Sequence, residues 1–356
     1  MRALLILADN VYLTPYLRFY TSILEEIHYD YSVVYWDKNN NEIIEDERYV
    51  SFSSDNTNKF GKIIGYLKYR KFVMDIFEKR DFDVIIPLHA IVSFIFYPLL
   101  IKLYKNRYIY DVRDYSYERF CLFRLVQKKL VKLSLINIIS SEGYKNFLPK
   151  AEYFITHNIP ITDLSAYKQT ENKTTLPIQI SYIGLIRFME QNKRIIQFFK
   201  NDKRFHINFI GTNAETLQPY CKENGVENVT LIGTFNPTDT LSYYNKTDLI
   251  MNLYGNHTPL LDYALSNKLY YAASLHKPIL VCEDTFMETI SEKYDIGFTL
   301  RMSDLDEKEK LVNYFNNLDR DQFVQHCDLF MSKARTEQLN VRSELTKRLN
   351  NLKGEV

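Results

Sequence analysis

Two segments of the chain combine cationic side chains with a glycine turn or a helix start, a combination that binds phosphate. In SYIGLIRFMEQNK an apolar run ends in Gly184, and Arg187 and Lys193 follow six residues apart. In SNKLYYAASLHKPILV a helical pattern starts at Asn267 and Lys268 and stops before a second apolar run. A diphosphate carries several negative charges, which cations and the N–H groups of helix N-termini stabilise. The segments together predict a diphosphate site; the alternative is that these cations are solvated surface charges.

Titratable residues also follow apolar runs in the first half of the chain. His89 comes just after FDVIIP, and Asp111, Arg113 and Asp114 lie within YIYDVRDYSYERF. A carboxylate or imidazole at a strand end can deprotonate a hydroxyl group. Asp111 could instead pair with Arg113 or cap the next helix, and a lone histidine is more often structural.

Apolar runs of strand length alternate with helical stretches along most of the chain. They are RALLILA, YSVVYW, FDVIIP, RYIYD, INIIS and EYFIT in the first half, and IQISYIG, FHINFIG, NVTLIG, DLIMNLY, KPILV and IGFTL in the second. This alternation indicates parallel sheets covered on both faces, in which ligands bind beyond the carboxyl ends of the strands. We predict an α/β domain over 1–165, a polar linker over 166–177, a second α/β domain over 178–330 and a C-terminal helix over 331–356.

Composition limits the class of protein. The chain has 356 residues, 46% apolar and 25% charged, which suits a folded protein of two domains. Its net charge of +1 gives no field for nucleic acid. The four cysteines lie far apart, which favours a reducing compartment without structural zinc. MRALLILA is too short for a secretory signal, so we expect a cytoplasmic protein, and the apolar window 90–104 is too short to span a membrane.

Positive charge is concentrated between Lys59 and Lys132. This stretch has 16 lysine and arginine residues against 7 acidic ones, interleaved with apolar residues in KIIGYLKYRKF and RLVQKKLVKL. A basic, apolar surface of this kind is typical of peripheral binding to anionic lipid on the inner membrane face. The alternative is an ordinary solvated helix face with a core face behind it.

The second half resembles the donor-binding domain of GT-B glycosyltransferases, especially the family 4 group that builds bacterial polysaccharides. The similarity is carried by YIGLIRFMEQNK, by FIG ending at Gly211, by LIGTF, and by NKLYY followed by HKPI, in that order. In the first half, YIYDVRDYSYERF is similar to the "yDirD" element of the same group, and ISSEGY and ITHNIP match further landmarks. The resemblance implies an α/β GT-B fold of two Rossmann-like domains, with a cleft between them and a C-terminal helix crossing back.

The resemblance also implies roles for individual residues. The donor would be bound by Gly184, Arg187, Lys193, Gly211, Thr234, Phe235, Asn267, Lys268 and Tyr271. The acceptor side would include Asp9, Asn10, Arg113 and Glu142, with Asp114, Asp111 and His89 as catalytic candidates. Two glutamates that many family members carry fall on Tyr263 and Tyr271, which leaves ribose recognition and stereochemistry open. Tyr271 could contact the ribose through its phenol or belong to the core.

The implied reaction moves a sugar from a nucleotide diphosphate sugar to a hydroxyl group of an acceptor in bacterial surface polysaccharide assembly. The acceptor would be a lipid-linked saccharide or an oligosaccharide. A UDP-sugar is the first expectation and a GDP-sugar the second, with neither metal nor cofactor. Two other functions remain open. One is a non-catalytic assembly subunit with a decayed donor site, and the other is a GT-B type sugar-nucleotide epimerase.

Overall fold

The computed structural model describes residues 1–54, 59–160 and 176–354. It contains two compact units, the first formed by residues 1–157 with 336–356 and the second by residues 158–335. Most of the predicted linker over 166–177 lies outside the described residues. The predicted end of the second domain at residue 330 falls inside the helix Arg320–Gly354, whose residues up to 335 belong to the second unit and whose residues from 336 belong to the first.

Seven parallel strands form the sheet of the first unit. They are β1 (Arg2–Leu7), β2 (Asp30–Asp37), β3 (Tyr49–Ser53), β4 (Val84–Leu88), β5 (Ile109–Val112), β6 (Ile136–Ile139) and β7 (Phe154–Ile155). The order β3-β2-β1-β4 continues into β5-β6-β7 through a parallel bridge between Ile85 and Tyr108. Strands β1, β2 and β4 to β6 are almost wholly buried, as continuous apolar runs require.

Five α-helices accompany this sheet. They are α1 (Leu17–Glu26), α2 (Lys59–Lys79), α3 (Ala90–Ile95), α4 (Tyr97–Leu103) and α5 (Cys121–Leu133). The apolar window 90–104 forms two helices rather than one, because Pro98 lies in the first turn of α4 and cannot continue α3. Strand β3 is not among the apolar runs of the sequence, because it is a partly exposed edge strand without a continuous apolar run.

The second unit has six parallel strands in the order β10-β9-β8-β11-β12-β13. They are β8 (Ile178–Ile183), β9 (Phe205–Ile210), β10 (Val229–Ile232), β11 (Leu249–Asn252), β12 (Ile279–Cys282) and β13 (Gly297–Leu300). This is the strand order of a Rossmann-type sheet, in which strands are added first on one side of the first strand, β8, and then on its other side. The predicted strands of both halves are therefore confirmed.

Helices cover the second sheet and continue to the end of the described chain. They are α6 (Met189–Phe199), α7 (Gln218–Glu223), α8 (Thr240–Asn245), α9 (Pro259–Asp262), α10 (Asn267–Ser274), α11 (Phe286–Tyr294), α12 (Glu307–Asn316) and α13 (Arg320–Gly354). The first part of α13 packs Phe323 and Phe330 into the core of the second unit, and the later part packs Val341 and Leu349 into that of the first. Within the described ranges, no helix has the length and apolar content of a membrane span.

Candidate functional residues at the carboxyl edge of each sheet

The loop after β8, residues 184–188, lies at the carboxyl edge of the second sheet, where its parallel strands end. Gly184 has φ +121° and Gly211 has φ +133°, values that favour glycine. A Cβ atom on Gly211 would overlap the carbonyl oxygen of Gly184, so the loops after β8 and β9 touch through backbone alone. Tyr182 holds the first loop from below, since its hydroxyl donates to the Leu185 carbonyl at 2.9 Å and accepts from the Arg187 N–H at 3.2 Å.

Lys268 places a buried ammonium group beside this loop. It lies in the first turn of α10, which Ser266 caps by accepting the Lys268 N–H at 3.3 Å. The Lys268 side chain donates to the Tyr254 hydroxyl at 2.8 Å and lies 4.4 Å from the centre of the Tyr182 ring. Its Nζ is 3.9 Å from the position of a Cβ on Gly184. The ammonium is therefore fixed at the carboxyl edge by two tyrosines that sequence reasoning did not single out.

Burial changes the proton affinity of Lys268. Because the side chain is removed from water, the pKa of Lys268 falls from 10.5 to about 8; Tyr182 opposes this shift, and the positive charge of Arg187 adds to it. Two cations that repel each other in the free protein would both be stabilised by an anion. The electrostatics at Gly184, Arg187 and Lys268 are therefore those of an anion site.

The two cations of the sequence pattern YIGLIRFMEQNK have different surroundings. Arg187 is exposed, and its guanidinium group has no hydrogen-bond or carboxylate partner in the part of the chain that the structure describes. Lys193, in α6, pairs with Glu190 at 2.8 Å and lies 5.8 Å from the Tyr220 ring centre. The structure thus brings Arg187 and Lys268 to the Gly184 loop, whereas Lys193 is engaged with neighbours on α6 and α7.

The remaining predicted donor residues lie at strand ends or in α10. Thr234, after β10, shares a hydrogen bond of 3.0 Å with Thr212, and the Phe235 ring packs edge-on against Tyr243. Asn267 is exposed at the start of α10. The Tyr271 ring stacks on buried Tyr244 with centroids 5.2 Å apart, which places it partly in the core, one of the two alternatives for this residue.

Asp262 lies directly before Tyr263, one of the two positions at which many members of the resembling family carry glutamate. It ends α9, between β11 and α10, and its Oδ1 atom is buried without a hydrogen-bond partner among the described residues. An unpaired buried carboxylate oxygen is costly, and such groups are rare unless a ligand uses them. The carboxyl edge of the second unit therefore also offers an acceptor for a hydroxyl group.

In the first unit, His89 and Asp114 lie together at the carboxyl edge of the sheet. They follow the neighbouring strands β4 and β5, and His89 Nε2 is 3.8 Å from Asp114 Oδ2. The Asp114 side chain is half exposed, and that of His89 is about a quarter exposed. His89 has φ +88°, which is strained for a residue with a side chain, and its Nδ1 atom is buried without a partner among the described residues. The two groups are therefore a candidate acid–base pair.

Asp111 and Arg113 are neighbours of that pair but are closed off from solvent. Asp111 has no exposed surface, and its Oδ1 atom lies 2.7 Å from Arg113 Nε. Tyr20 donates to Asp111 Oδ2 at 2.8 Å, and the Arg113 guanidinium lies 4.1 Å from the centre of the Tyr16 ring. A carboxylate enclosed in this way stabilises the end of β5 and cannot contact an acceptor substrate. The pairing with Arg113, the alternative interpretation of Asp111, describes the structure.

Replacing Arg113 tests this structural role. Arg113→Met should destabilise the protein by about 3 to 5 kcal/mol, because the Asp111 carboxylate would remain buried and unpaired. Urea unfolding followed by circular dichroism measures the change. Lys145→Met is the control, since Lys145 pairs with Glu142 at 3.1 Å on the surface and should contribute less than about 1 kcal/mol. Equal losses in the two variants would contradict the role of the buried pair.

The predicted acceptor-side residues after β1 are also tied into the fold. Asn10 is buried, donates to Asp37 at 2.7 Å and accepts the Lys38 N–H at 3.1 Å, while Asp9 pairs with Lys38 at 3.0 Å. The carboxylate of Glu42 accepts the N–H groups of the two residues after Asn10, each at 2.8 Å. These loop amides, which could have bound an external anion, therefore already bind a carboxylate of the same unit.

Glu142 begins a short 3₁₀ helix after β6. Its side chain is half exposed and forms the surface pair with Lys145. The preceding Ser141 caps this helix by accepting the Gly143 N–H at 3.1 Å. Glu142 remains an accessible carboxylate of the first unit. Among the described residues, no group of three His, Cys, Asp or Glu side chains is arranged to hold a metal ion.

Comparison with known proteins gives a fold match without a sequence match. No protein-family model matches the sequence, and no curated protein does. Sucrose-phosphate synthase from Thermosynechococcus elongatus has a TM-score of 0.71 at 9% identity, over 100% of both chains. Anabaena HepE in complex with UDP and glucose has a TM-score of 0.67 at 14% identity, over 98% of this chain and 99% of that one.

The same architecture occurs in a Listeria monocytogenes protein provisionally assigned as a UDP-N-acetylglucosamine 2-epimerase. Its TM-score is 0.59 at 10% identity, over 91% of this chain and 90% of that one. At such low identity the likeness concerns the fold and leaves the activity to be argued from the site. With two Rossmann-type units and a long terminal helix matched across whole chains, the protein has the α/β GT-B fold.

Proposed function

We propose that the protein is a glycosyltransferase that uses a nucleotide diphosphate sugar, a UDP-sugar in preference to a GDP-sugar. The observation that carries the proposal is the Lys268 ammonium, held beside Gly184 with Arg187 on the same loop. The binding of UDP by a protein of the same fold, HepE, supports the choice of nucleotide.

The donor site would act mainly through charge. When the bond between the sugar C1 and the diphosphate oxygen breaks, negative charge develops on the leaving diphosphate, and fixed cations stabilise it. Lys268 and Arg187 would supply those cations, and the glycines after β8 and β9 would let backbone N–H groups approach closely. Transfer would then need no metal. Asp262 would accept a hydrogen bond from a sugar hydroxyl.

The acceptor would bind to the first unit. Asp114, with His89 beside it, would take the proton from the acceptor hydroxyl as its oxygen bonds to the sugar C1. We propose a lipid-linked saccharide of bacterial surface polysaccharide assembly as acceptor, on the cytoplasmic side of the membrane. Exposed apolar side chains on α2 and α5, among them Leu67 at 64% and Leu122 at 67% exposure, support a peripheral membrane position.

Titration calorimetry with UDP, GDP and their sugars tests the donor site directly. UDP should bind the wild type, and Arg187→Ala should weaken binding about tenfold, as expected for one exposed charge-assisted contact. Arg194→Ala is a matched control, because Arg194 is also exposed and lies on α6. Absence of UDP and GDP binding, or equal losses in both variants, would refute the donor site.

The two alternative functions, a non-catalytic subunit and an epimerase, predict different products when the purified protein is incubated with a UDP-sugar. The tyrosines at the family's glutamate positions, Tyr263 and Tyr271, favour a non-catalytic subunit, which would bind UDP without transferring sugar to any extracted lipid acceptor. An epimerase would convert a UDP-sugar in the absence of an acceptor. Product analysis by chromatography, with and without lipid extract, separates the three functions.

A further inference from the structure

A cavity of about 760 Å³ opens at the amino edge of the first sheet, the end opposite His89 and Asp114. The end of α5, the starts of β6 and β7, and helix α13 form its walls. The side chains that decide its chemistry are Lys128, Lys132, Lys150, Glu152, Phe154 and Arg348. Four cations and one carboxylate line the cavity, so it carries an excess of three positive charges.

One wall of the cavity is fixed by Arg348. Its guanidinium donates to the Leu135 carbonyl at 2.6 Å and to Glu344 at 2.7 Å, and it contacts Glu152 at 3.2 Å. It also lies 5.3 Å from the centre of the Phe154 ring. Arg348 is thus neutralised by its own carboxylate partners and positions the wall, which leaves the lysines as the uncompensated charge.

The three lysines of the cavity are exposed and unpaired. Lys128, Lys132 and Lys150 have no hydrogen-bond or ion-pair partner in residues 1–54, 59–160 and 176–354. Like charges held together without a counterion repel each other, so this arrangement favours an anion that contacts several of them. A phosphate group suits three ammonium donors.

The exposed face of α5 continues from the cavity as an apolar surface. Leu122 and Leu125 are 67% and 53% exposed, and with Lys129 and Lys132 they follow the spacing of a single helix face. The leucines lie roughly 10 Å along the helix from the lysines, at 1.5 Å per residue. An exposed helix face with leucines at one end and lysines at the other matches the boundary between acyl chains and headgroups.

We infer that this cavity binds the headgroup phosphate of an anionic phospholipid while Leu122 and Leu125 insert beside it. The inference rests on the proposed membrane association of this protein and is independent of the transferase activity. It makes α5 the membrane-facing helix and gives the protein a lipid site separate from the donor and acceptor sites. An anionic glycerophospholipid provides both required parts, a phosphate and acyl chains.

Vesicle flotation of the full chain tests the inference. Wild type should bind vesicles of phosphatidylcholine mixed with phosphatidylglycerol and bind phosphatidylcholine alone much less. The triple variant Lys128→Gln, Lys132→Gln and Lys150→Gln should lose about 100-fold in partitioning, roughly fivefold for each lysine. A matched triple variant, Lys203→Gln, Lys222→Gln and Lys246→Gln, removes the same charge from exposed positions of the second unit, outside the basic stretch 59–132, and should bind nearly as wild type.

Three outcomes would overturn the lipid site. The first is an equal loss in the two triple variants, which would indicate diffuse surface charge. The second is a wild type that shows no preference for phosphatidylglycerol, and the third is binding of glycerol 1-phosphate to the cavity in calorimetry without binding of vesicles. UDP calorimetry on the same variants keeps the tests apart. Failure of lipid binding with intact UDP binding would refute this site alone and leave the donor site standing.

Discussion

Lys268→Met should weaken UDP binding about 300-fold, or roughly 3.5 kcal/mol, which is in the range for removing one member of a buried charge pair. Lys268 is only 8% exposed, so its interaction with a diphosphate is only weakly screened by solvent. Methionine retains most of the length of the side chain and its contact with Tyr182. Calorimetry with UDP measures the change.

The pH dependence of binding separates charge from shape. The pKa of Lys268 is about 8 in the free protein, so the ammonium is present below pH 8 and is progressively lost above it. UDP affinity should therefore be constant between about pH 7 and 8, where the terminal phosphate of UDP is already ionised. Above pH 8 it should fall, up to tenfold per pH unit, and Lys268→Met should lack this fall. Stability changes in the opposite direction. Between pH 8 and 10.5 the unfolded chain binds more protons at this lysine, so this group's contribution to stability rises with pH.

Lys193→Met is the control for Lys268. Lys193 is the second cation of the sequence pattern, but it pairs with Glu190 at the surface, and loss of a surface pair changes little. We expect less than a fivefold change in UDP affinity. If Lys193→Met weakens UDP binding as much as Lys268→Met does, the diphosphate lies along α6 and the site described around Lys268 is incorrect.

Asp114→Asn should lower kcat for sugar transfer about 1,000-fold, within the range for loss of a general base. Asparagine has the same shape but cannot take up the proton of the acceptor hydroxyl. Because Asp114 lies in the first unit, binding of UDP to the second unit should be unchanged. The measurement is initial-rate kinetics with a saturating UDP-sugar and lipid-extracted acceptor. A fall in kcat with unchanged UDP affinity would assign the effect to the acceptor step.

Two carboxylates near Asp114 serve as comparisons. Glu142→Gln removes an accessible carboxylate that is paired with Lys145, and it should leave kcat within a few-fold of wild type. Asp111→Asn should act on stability, because Asp111 has no exposed surface. If Asp111→Asn lowers kcat as strongly as Asp114→Asn without destabilising the protein, the assignment of the base to Asp114 fails.

The sequence predicted most of the fold because parallel sheets have a strong local signature. Strand β12 is a continuous apolar run, and β8 and β9 have apolar residues at most positions; all three lie in the segments KPILV, IQISYIG and FHINFIG, where the sequence predicts strands. The order of elements, strand then glycine turn then helix, also placed Gly184, Gly211 and Lys268 at one edge. These features depend on neighbours in sequence, which a single chain shows directly.

The parts that the sequence did not predict depend on neighbours in space. Asp111 and Asp114 are both aspartates of the segment that ends β5, and no spacing rule distinguishes them. In the structure, Asp111 is enclosed by Tyr20, whereas Asp114 is half exposed. Likewise, the capture of the β1 loop amides by Glu42 joins residues about thirty positions apart. The edge strand β3 lacked a continuous apolar run, because it is partly exposed and carries the exposed residues Ser51 and Ser53.

Helix α13 gives the first unit a core that is discontinuous along the chain. Residues 1–157 lack Val341, Leu345, Leu349 and Leu352, which complete that core and are supplied only by the last helix. During synthesis on the ribosome, the first 157 residues emerge long before these four side chains do. The second unit, residues 158–335, can therefore close its core first, and the amino-terminal unit reaches its native packing only after the carboxyl-terminal helix has been translated.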